Sequence, residues 1–198
     1  MLKRTNSFIL LTLLVLTGLA GKDHAETLTR KERRILNREL KGSRTDLINS
    51  IEGLSEKQIN FHLLGETRSI ATCLYQMADQ EASLWSATQS ILSAPAPLGN
   101  SINKAPINIP TGKNVLSSLP SLSENYTSID AAIERFLSHR ASIVRYVQTT
   151  TDDVRTYLIT TPSGTYDVYQ LMRLNAECSR NWATEINRIK SGVLFPKR

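Results

Sequence analysis

The feature that most constrains the fold is the spacing of apolar residues in four long segments, which follows the 3.6-residue period of an amphipathic α-helix. The segments run from about Thr29 to Ile51, Ser69 to Ser93, Ser121 to Val147 and Tyr166 to Ser191. Strand signals are nearly absent between them. Four such helices in a chain of 198 residues predict an all-α fold, an up-and-down four-helix bundle around a single core.

Pairs of polar residues mark several predicted helix starts. In a capping box, a Ser or Thr at the N-cap bonds the backbone three residues later, where a Glu or Gln reaches back. Such pairs predict the starts of the first long helix, of a short helix after it and of the third long helix. They are Thr29 with Glu32, Ser55 with Gln58, and Ser121 with Glu124.

Proline interrupts the helical pattern in one long stretch, Pro95–Pro120, which contains five of the seven prolines in the chain. Proline lacks a backbone N–H and breaks helices, so this stretch is predicted to be a crossover loop between the second and third long helices. Loops of this length often cover a site or are mobile. A shorter interruption, the turn Pro162-Ser163-Gly164, separates the segment Thr151–Leu158 from the last helix.

The amino-terminal residues have the pattern of a secretory signal peptide. Lys3 and Arg4 precede an uncharged apolar run, Phe8–Ala20, which is shorter than the roughly 20 residues that a membrane-spanning helix needs. Residues 1–20 are therefore predicted to be a signal peptide, with cleavage after Ala20 or as late as Ala25. This predicts an exported protein, in the periplasm or outside the cell. The alternative is an uncleaved anchor in the membrane.

The chain has a formal net charge of +6, and much of the excess lies in the first predicted helix. Such a run is usually the solvated side of an amphipathic helix, although it can also contact an anionic surface. No aromatic residue interleaves these charges for base stacking, so no nucleic-acid partner is predicted. The residues predicted for weak contact with an anionic surface are Arg30, Lys31, Arg33, Arg34 and Arg38.

Two segments of the chain carry recognisable motifs, Gln58–Glu81 (QINFHLLGETRSIATCLYQMADQE) and Ser163–Lys190 (SGTYDVYQLMRLNAECSRNWATEINRIK), and a Gly-Leu-Ser opening stands at Gly53–Ser55. Together they resemble the DinB-like superfamily of four-helix bundles. The resemblance implies a DinB-like bundle over residues 27–191. In that family three histidines hold a divalent metal between the helices, and members include thiol-dependent S-transferases and maleylpyruvate isomerase.

The positions that match the family's three histidines hold other residues here. They are Gln76, Cys178 and Trp182, and the histidines of the chain, His24, His62 and His139, lie elsewhere. A carboxamide is a poor zinc or nickel ligand and an indole is none. The sequence therefore predicts no metal and no cofactor.

Two interpretations of this altered site remain open. In the first, Trp182 fills the volume of the former metal site, with Cys178 as a small core residue. Alternatively, Gln76, Cys178 and Trp182 line a remodelled pocket. Asp79 and Glu81 are two residues apart on a helix and do not share a face, so they are not interpreted as an acid–base pair. Cys73 and Cys178 either form a disulfide between two helices or remain buried free thiols.

These observations favour an exported, non-catalytic DinB-like bundle that binds a small molecule or a protein partner. One alternative is an exported enzyme with a rebuilt site, of thiol transferase or hydrolase type and in principle metal-dependent, with Cys178 as its reactive group. Another is a surface-interaction protein that uses the basic first helix. Whether the chain is an enzyme is therefore open, with the missing ligands favouring a negative answer.

Overall fold

The computed structural model describes residues 27–93, 126–161 and 164–197. The predicted signal peptide at 1–20, the predicted Pro95–Pro120 loop and the predicted Ser121–Glu124 capping box lie outside these ranges. Within them, no helix is both long enough and apolar enough to cross a membrane.

The described part of the chain is mainly helical, as the apolar period predicts. Its elements in chain order are α1 (Arg30–Ile51), α2 (Glu56–Ile59), α3 (Ile70–Ser93), α4 (Ile129–Thr149), β1 (Leu158–Thr161), β2 (Gly164–Asp167) and α5 (Val168–Lys190). The two capping boxes predicted at Thr29 and Ser55 are confirmed, since each side chain accepts a hydrogen bond from the backbone three residues later.

The start of α4 differs from the sequence prediction. Residues 126–128 are not helical, and the helix begins at Ile129, where the Ser128 side chain accepts a hydrogen bond from the backbone N–H of Ala131. The serine hydroxyl satisfies a donor that has no partner within the first turn. The predicted third helix is therefore shorter at its amino-terminal end than the apolar period suggests.

A small β-hairpin, not predicted from the sequence, precedes the last helix. Strands β1 and β2 pair antiparallel, with Leu158 opposite Asp167 and Ile159 opposite Tyr166. Tyr166 thus belongs to a strand rather than to the helix. Asp167 then caps α5 in a third capping box, with Gln170 as its partner. The strong cap explains why the helix begins at Val168.

The long helices do not alternate in direction, which corrects the predicted up-and-down order. Helices α3 and α4 run parallel, because Glu81 contacts Arg140 whereas Trp85, later on α3, contacts Tyr146, later on α4. The segment that joins them, residues 94–125, lies outside the described residues.

The other neighbours of each helix are set by buried apolar side chains. Helix α1 packs against α4 and α5, and α3 packs against the same two helices. The side chains that share this interior are fully or almost fully buried, and each such burial contributes roughly 1.5–3 kcal/mol. They include Leu36, Leu40 and Leu47 of α1, Ile70, Leu74 and Met77 of α3, Phe136 and Ile143 of α4, and Leu171 and Ile186 of α5.

Candidate functional site

A buried ion pair lies where the four long helices meet. Arg140 of α4 donates from Nε and Nη2 to the two carboxylate oxygens of Glu81 of α3, at 2.6 and 2.7 Å. The two side chains are only 1% and 2% exposed. Two backbone carbonyls and two hydroxyls on α1 and α5 accept the remaining hydrogen bonds of the guanidinium. They belong to Leu40, Asn175, Ser43 and Ser179.

This arrangement leaves the arginine with no spare donor. A guanidinium has five N–H groups, and Arg140 directs them at six acceptors. Its charged plane also lies over the Phe136 ring, 5.1 Å from the ring centroid. Both oxygens of Glu81 are engaged as well, so the pair is closed to a ligand, and its geometry is that of a structural centre.

Sequence reasoning did not find this centre. In the sequence, Glu81 stands out only beside Asp79, and Arg140 belongs to no motif. The available signal was the position of Arg140 on the inward stripe of α4, four residues after Phe136 and three before Ile143. A charged residue on such a stripe needs a buried partner.

The three residues at the predicted former metal site are not brought together. Gln76 is exposed on α3, whereas Cys178 is buried among Leu84, Leu171 and Leu174. Trp182 is partly buried and donates from its indole N–H to Oε1 of Gln80, not Gln76. The structure therefore does not support a pocket lined by Gln76, Cys178 and Trp182.

The direction of the helices explains this difference in register. Helices α3 and α5 run antiparallel, so later residues of α3 meet earlier residues of α5. Trp182 lies opposite Gln80, and Cys178 lies beside Leu84. Gln76, one turn before Gln80, is therefore too far along α3 to share a site with Cys178.

The two cysteines are free buried thiols in this structure. Cys73 packs in a cluster with Leu47 and Ile70, separate from the cluster that contains Cys178. Cys73 precedes Leu84, the neighbour of Cys178, by eleven residues, which is roughly 16 Å along a helix. A disulfide requires Cα atoms within about 7 Å, so the considered bridge is not formed here.

Burial also makes both thiols weak nucleophiles. It raises the pKa of Cys178 from 9.0 to about 12 and that of Cys73 to about 11. The nearby charge of Glu81 acts in the same direction on Cys178. Because the thiolate is the reactive form, neither cysteine is poised for chemistry at neutral pH.

The surface of the described residues offers two shallow grooves. One follows the outer side of α4 past Ser138, Arg145 and Tyr146, and the other lies between α1 and α5 near Asp46 and Arg180. Neither is lined by the residues of the predicted pocket. In the same ranges, no group of three or more His, Cys, Asp or Glu residues is placed to hold a metal ion.

The acidic and basic side chains of α1 lie on different sides of the helix. Two of its three acids, Glu32 and Glu39, form ion pairs with Arg155 and Arg173 at 2.6 and 3.1 Å, toward the hairpin and α5. Arg33, predicted to contact an anionic surface, instead donates to the carbonyl oxygens of Val147 and Thr150. It therefore holds the end of α4 and is not part of an exposed surface.

The remaining cations of α1 form an exposed set, the α1 basic face. Its members are Arg30, Lys31, Arg34, Arg38, Lys41 and Arg44. Within the described ranges none of the six forms a salt bridge, and none of their side chains donates a hydrogen bond.

No protein-family model matches the chain, and searches of curated proteins and of solved structures found no significant match. The likeness to the DinB-like superfamily thus remains a resemblance of sequence motifs.

Proposed function

We propose that the chain is an exported, non-catalytic four-helix bundle of the DinB-like type that acts by binding a partner. The observation that carries this proposal is the closed ion pair of Arg140 and Glu81. Ser179, the residue after Cys178, is also engaged, because its hydroxyl accepts a hydrogen bond from Arg140 and donates one to the carbonyl oxygen of Asn175. The two charged groups of the pair and the hydroxyls of Ser43 and Ser179 are thus engaged with one another. Among the described residues, the buried side-chain oxygen Oδ1 of Asn175 has no hydrogen-bond partner.

The state of Cys178 supports the same proposal over an enzyme with a rebuilt thiol site. A catalytic cysteine needs access to substrate and a lowered pKa. Cys178 is 5% exposed, and burial raises its pKa to about 12. Both properties favour a packing role for this residue.

Metal titration tests the non-catalytic part of the proposal. Zinc or nickel added to the metal-free full chain should leave its melting temperature unchanged, since only an ion that binds the native state raises it. Alkylation of the folded protein at neutral pH should label neither cysteine, whereas the denatured protein takes two labels. Stoichiometric metal that is lost in Cys178→Ala, or rapid labelling of native Cys178, would favour the enzyme.

Export is tested separately by fractionation of cells that make the full chain. The proposal expects the protein outside the cytoplasm and shortened by 20 to 25 residues, as measured by mass. Full-length protein in the cytoplasmic fraction would contradict export but would leave the non-catalytic part standing.

A further inference from the structure

Between Arg30 and Arg44, the first and last cations of the α1 basic face, α1 has no acidic residue that is left unpaired; its third acid, the exposed Asp46, follows Arg44 by two residues. The two acids of the same stretch, Glu32 and Glu39, are taken up by Arg155 and Arg173. Mixed surfaces usually intersperse both signs of charge. Here the folded chain removes the negative charges from one side and leaves six cations on it.

The geometry of this face suits a flat partner. Lys31, Arg34, Arg38 and Lys41 follow the i, i+3, i+4 spacing, so they project from one side of the helix. The six cations span fifteen residues, roughly 21 Å along the axis. The inward side of α1 carries Leu36, Leu40 and Leu47 instead, so the cations point away from the core and can touch one plane together.

The chemistry of the face suits anionic headgroups better than bases. No aromatic side chain lies between Arg30 and Arg44, so bases have nothing to stack on. Neither of the two shallow grooves described above includes a residue of this face.

We propose that the α1 basic face binds an anionic lipid surface. The proposal rests on the export part of the proposed function, because an exported protein meets lipid headgroups rather than nucleic acid as its ordinary polyanion. Each Lys or Arg close to such a surface strengthens binding by roughly fivefold. Binding of this kind weakens with salt, because the screening length falls from about 10 Å at 0.1 M to about 3 Å at 1 M.

Vesicle sedimentation with the full chain tests the proposal. One set of vesicles contains equal parts of phosphatidylglycerol and phosphatidylcholine, and the other contains phosphatidylcholine alone. The amino-terminal apolar run is present in every sample, so its contribution cancels between variants. The test variant removes four charges of the face, as Lys31→Gln, Arg34→Gln, Arg38→Gln and Lys41→Gln.

A matched control removes four exposed cations from elsewhere, as Lys57→Gln, Arg145→Gln, Arg180→Gln and Lys197→Gln. Both variants lose the same net charge, and glutamine is a good helix former, so circular dichroism should show both folded. We expect the test variant to lose roughly a hundredfold or more in affinity for anionic vesicles, and the control to lose much less.

Three results would overturn the proposal. They are equal binding to both kinds of vesicle, an equal loss of affinity in both variants, and tighter binding of a duplex DNA oligonucleotide than of anionic vesicles at the same salt concentration. If any of these occurs in a protein that fractionation shows to be exported, the lipid proposal fails while the proposed function stands.

Discussion

Arg140 and Glu81 form a two-point ion pair in the middle of the four long helices, with donor–acceptor distances of 2.6 and 2.7 Å. The remaining hydrogen bonds of the guanidinium go to Leu40 and Ser43 of α1 and to groups of α5. One side chain thereby contacts all three of the other long helices. Such a centre fixes their relative positions more than it adds stability, because desolvation of both charges offsets much of their attraction.

The first prediction separates these two effects. Glu81→Leu and Arg140→Met should each lower the free energy of unfolding by about 3–5 kcal/mol, since each leaves one charge buried without its partner. The double variant should be more stable than either single variant and close to the original protein. In the double variant, the hydroxyls of Ser43 and Ser179 still donate hydrogen bonds to carbonyl oxygens of their own helices. Urea unfolding gives the free energy of unfolding of the original protein, the two single variants and the double variant.

An exposed ion pair provides the control for this cycle. Glu66 contacts Arg188 at 2.6 Å, and both side chains are more than a third exposed. Glu66→Gln should change the free energy of unfolding by less than about 1 kcal/mol. If Glu81→Leu costs no more than Glu66→Gln, the central pair is accessible to water and the structural interpretation of it is incorrect.

Sequence reasoning succeeded where structure is determined locally. The apolar period and the caps at Thr29 and Ser55 depend on residues within one or two turns, and the structure confirms them. The cap at Asp167 was missed because the apolar period already begins at Tyr166, which masked a signature of the same kind.

Sequence reasoning failed where distant segments had to be placed against each other. Nothing near Gln76 in the chain indicates that Gln80 meets Trp182 instead. That contact follows from the relative shift of two helices more than a hundred residues apart. The parallel direction of α3 and α4 and the partners of Arg140 depend in the same way on packing that no local pattern encodes.

The second prediction tests the register between α3 and α5. Gln80→Ala should lower the free energy of unfolding by about 1 kcal/mol, because the partly buried indole N–H of Trp182 loses its acceptor. Gln76→Ala is the matched control, with the same substitution one turn earlier at an exposed position. It should change stability by less than about 0.5 kcal/mol. The reverse order of the two effects would support the register predicted from the sequence.

The third prediction concerns Arg33, which donates to carbonyl oxygens of Val147 and Thr150. These carbonyls lie at the end of α4, where helical partners run out. Arg33→Ala should therefore lower the free energy of unfolding by about 1–3 kcal/mol and speed hydrogen exchange at the Thr150 amide. The neighbouring exposed Arg34→Ala should do neither. Equal exchange rates in both variants would mean that Arg33 does not hold the end of this helix.

The last prediction follows from the buried thiol of Cys178, whose pKa burial raises from 9.0 to about 12. Above pH 9 the unfolded chain releases this proton first, so the unfolded state gains stability as pH rises toward 12. The contribution of the protonated Cys178 thiol to the free energy of unfolding is fully present below pH 9 and has fallen by about 1 kcal/mol at pH 10. Cys178→Ala leaves a small cavity at every pH but abolishes this dependence. Between pH 8 and pH 10, urea unfolding should therefore show a larger loss of stability in the original protein than in Cys178→Ala. Parallel losses would mean that the thiol ionises equally in both states and is open to solvent.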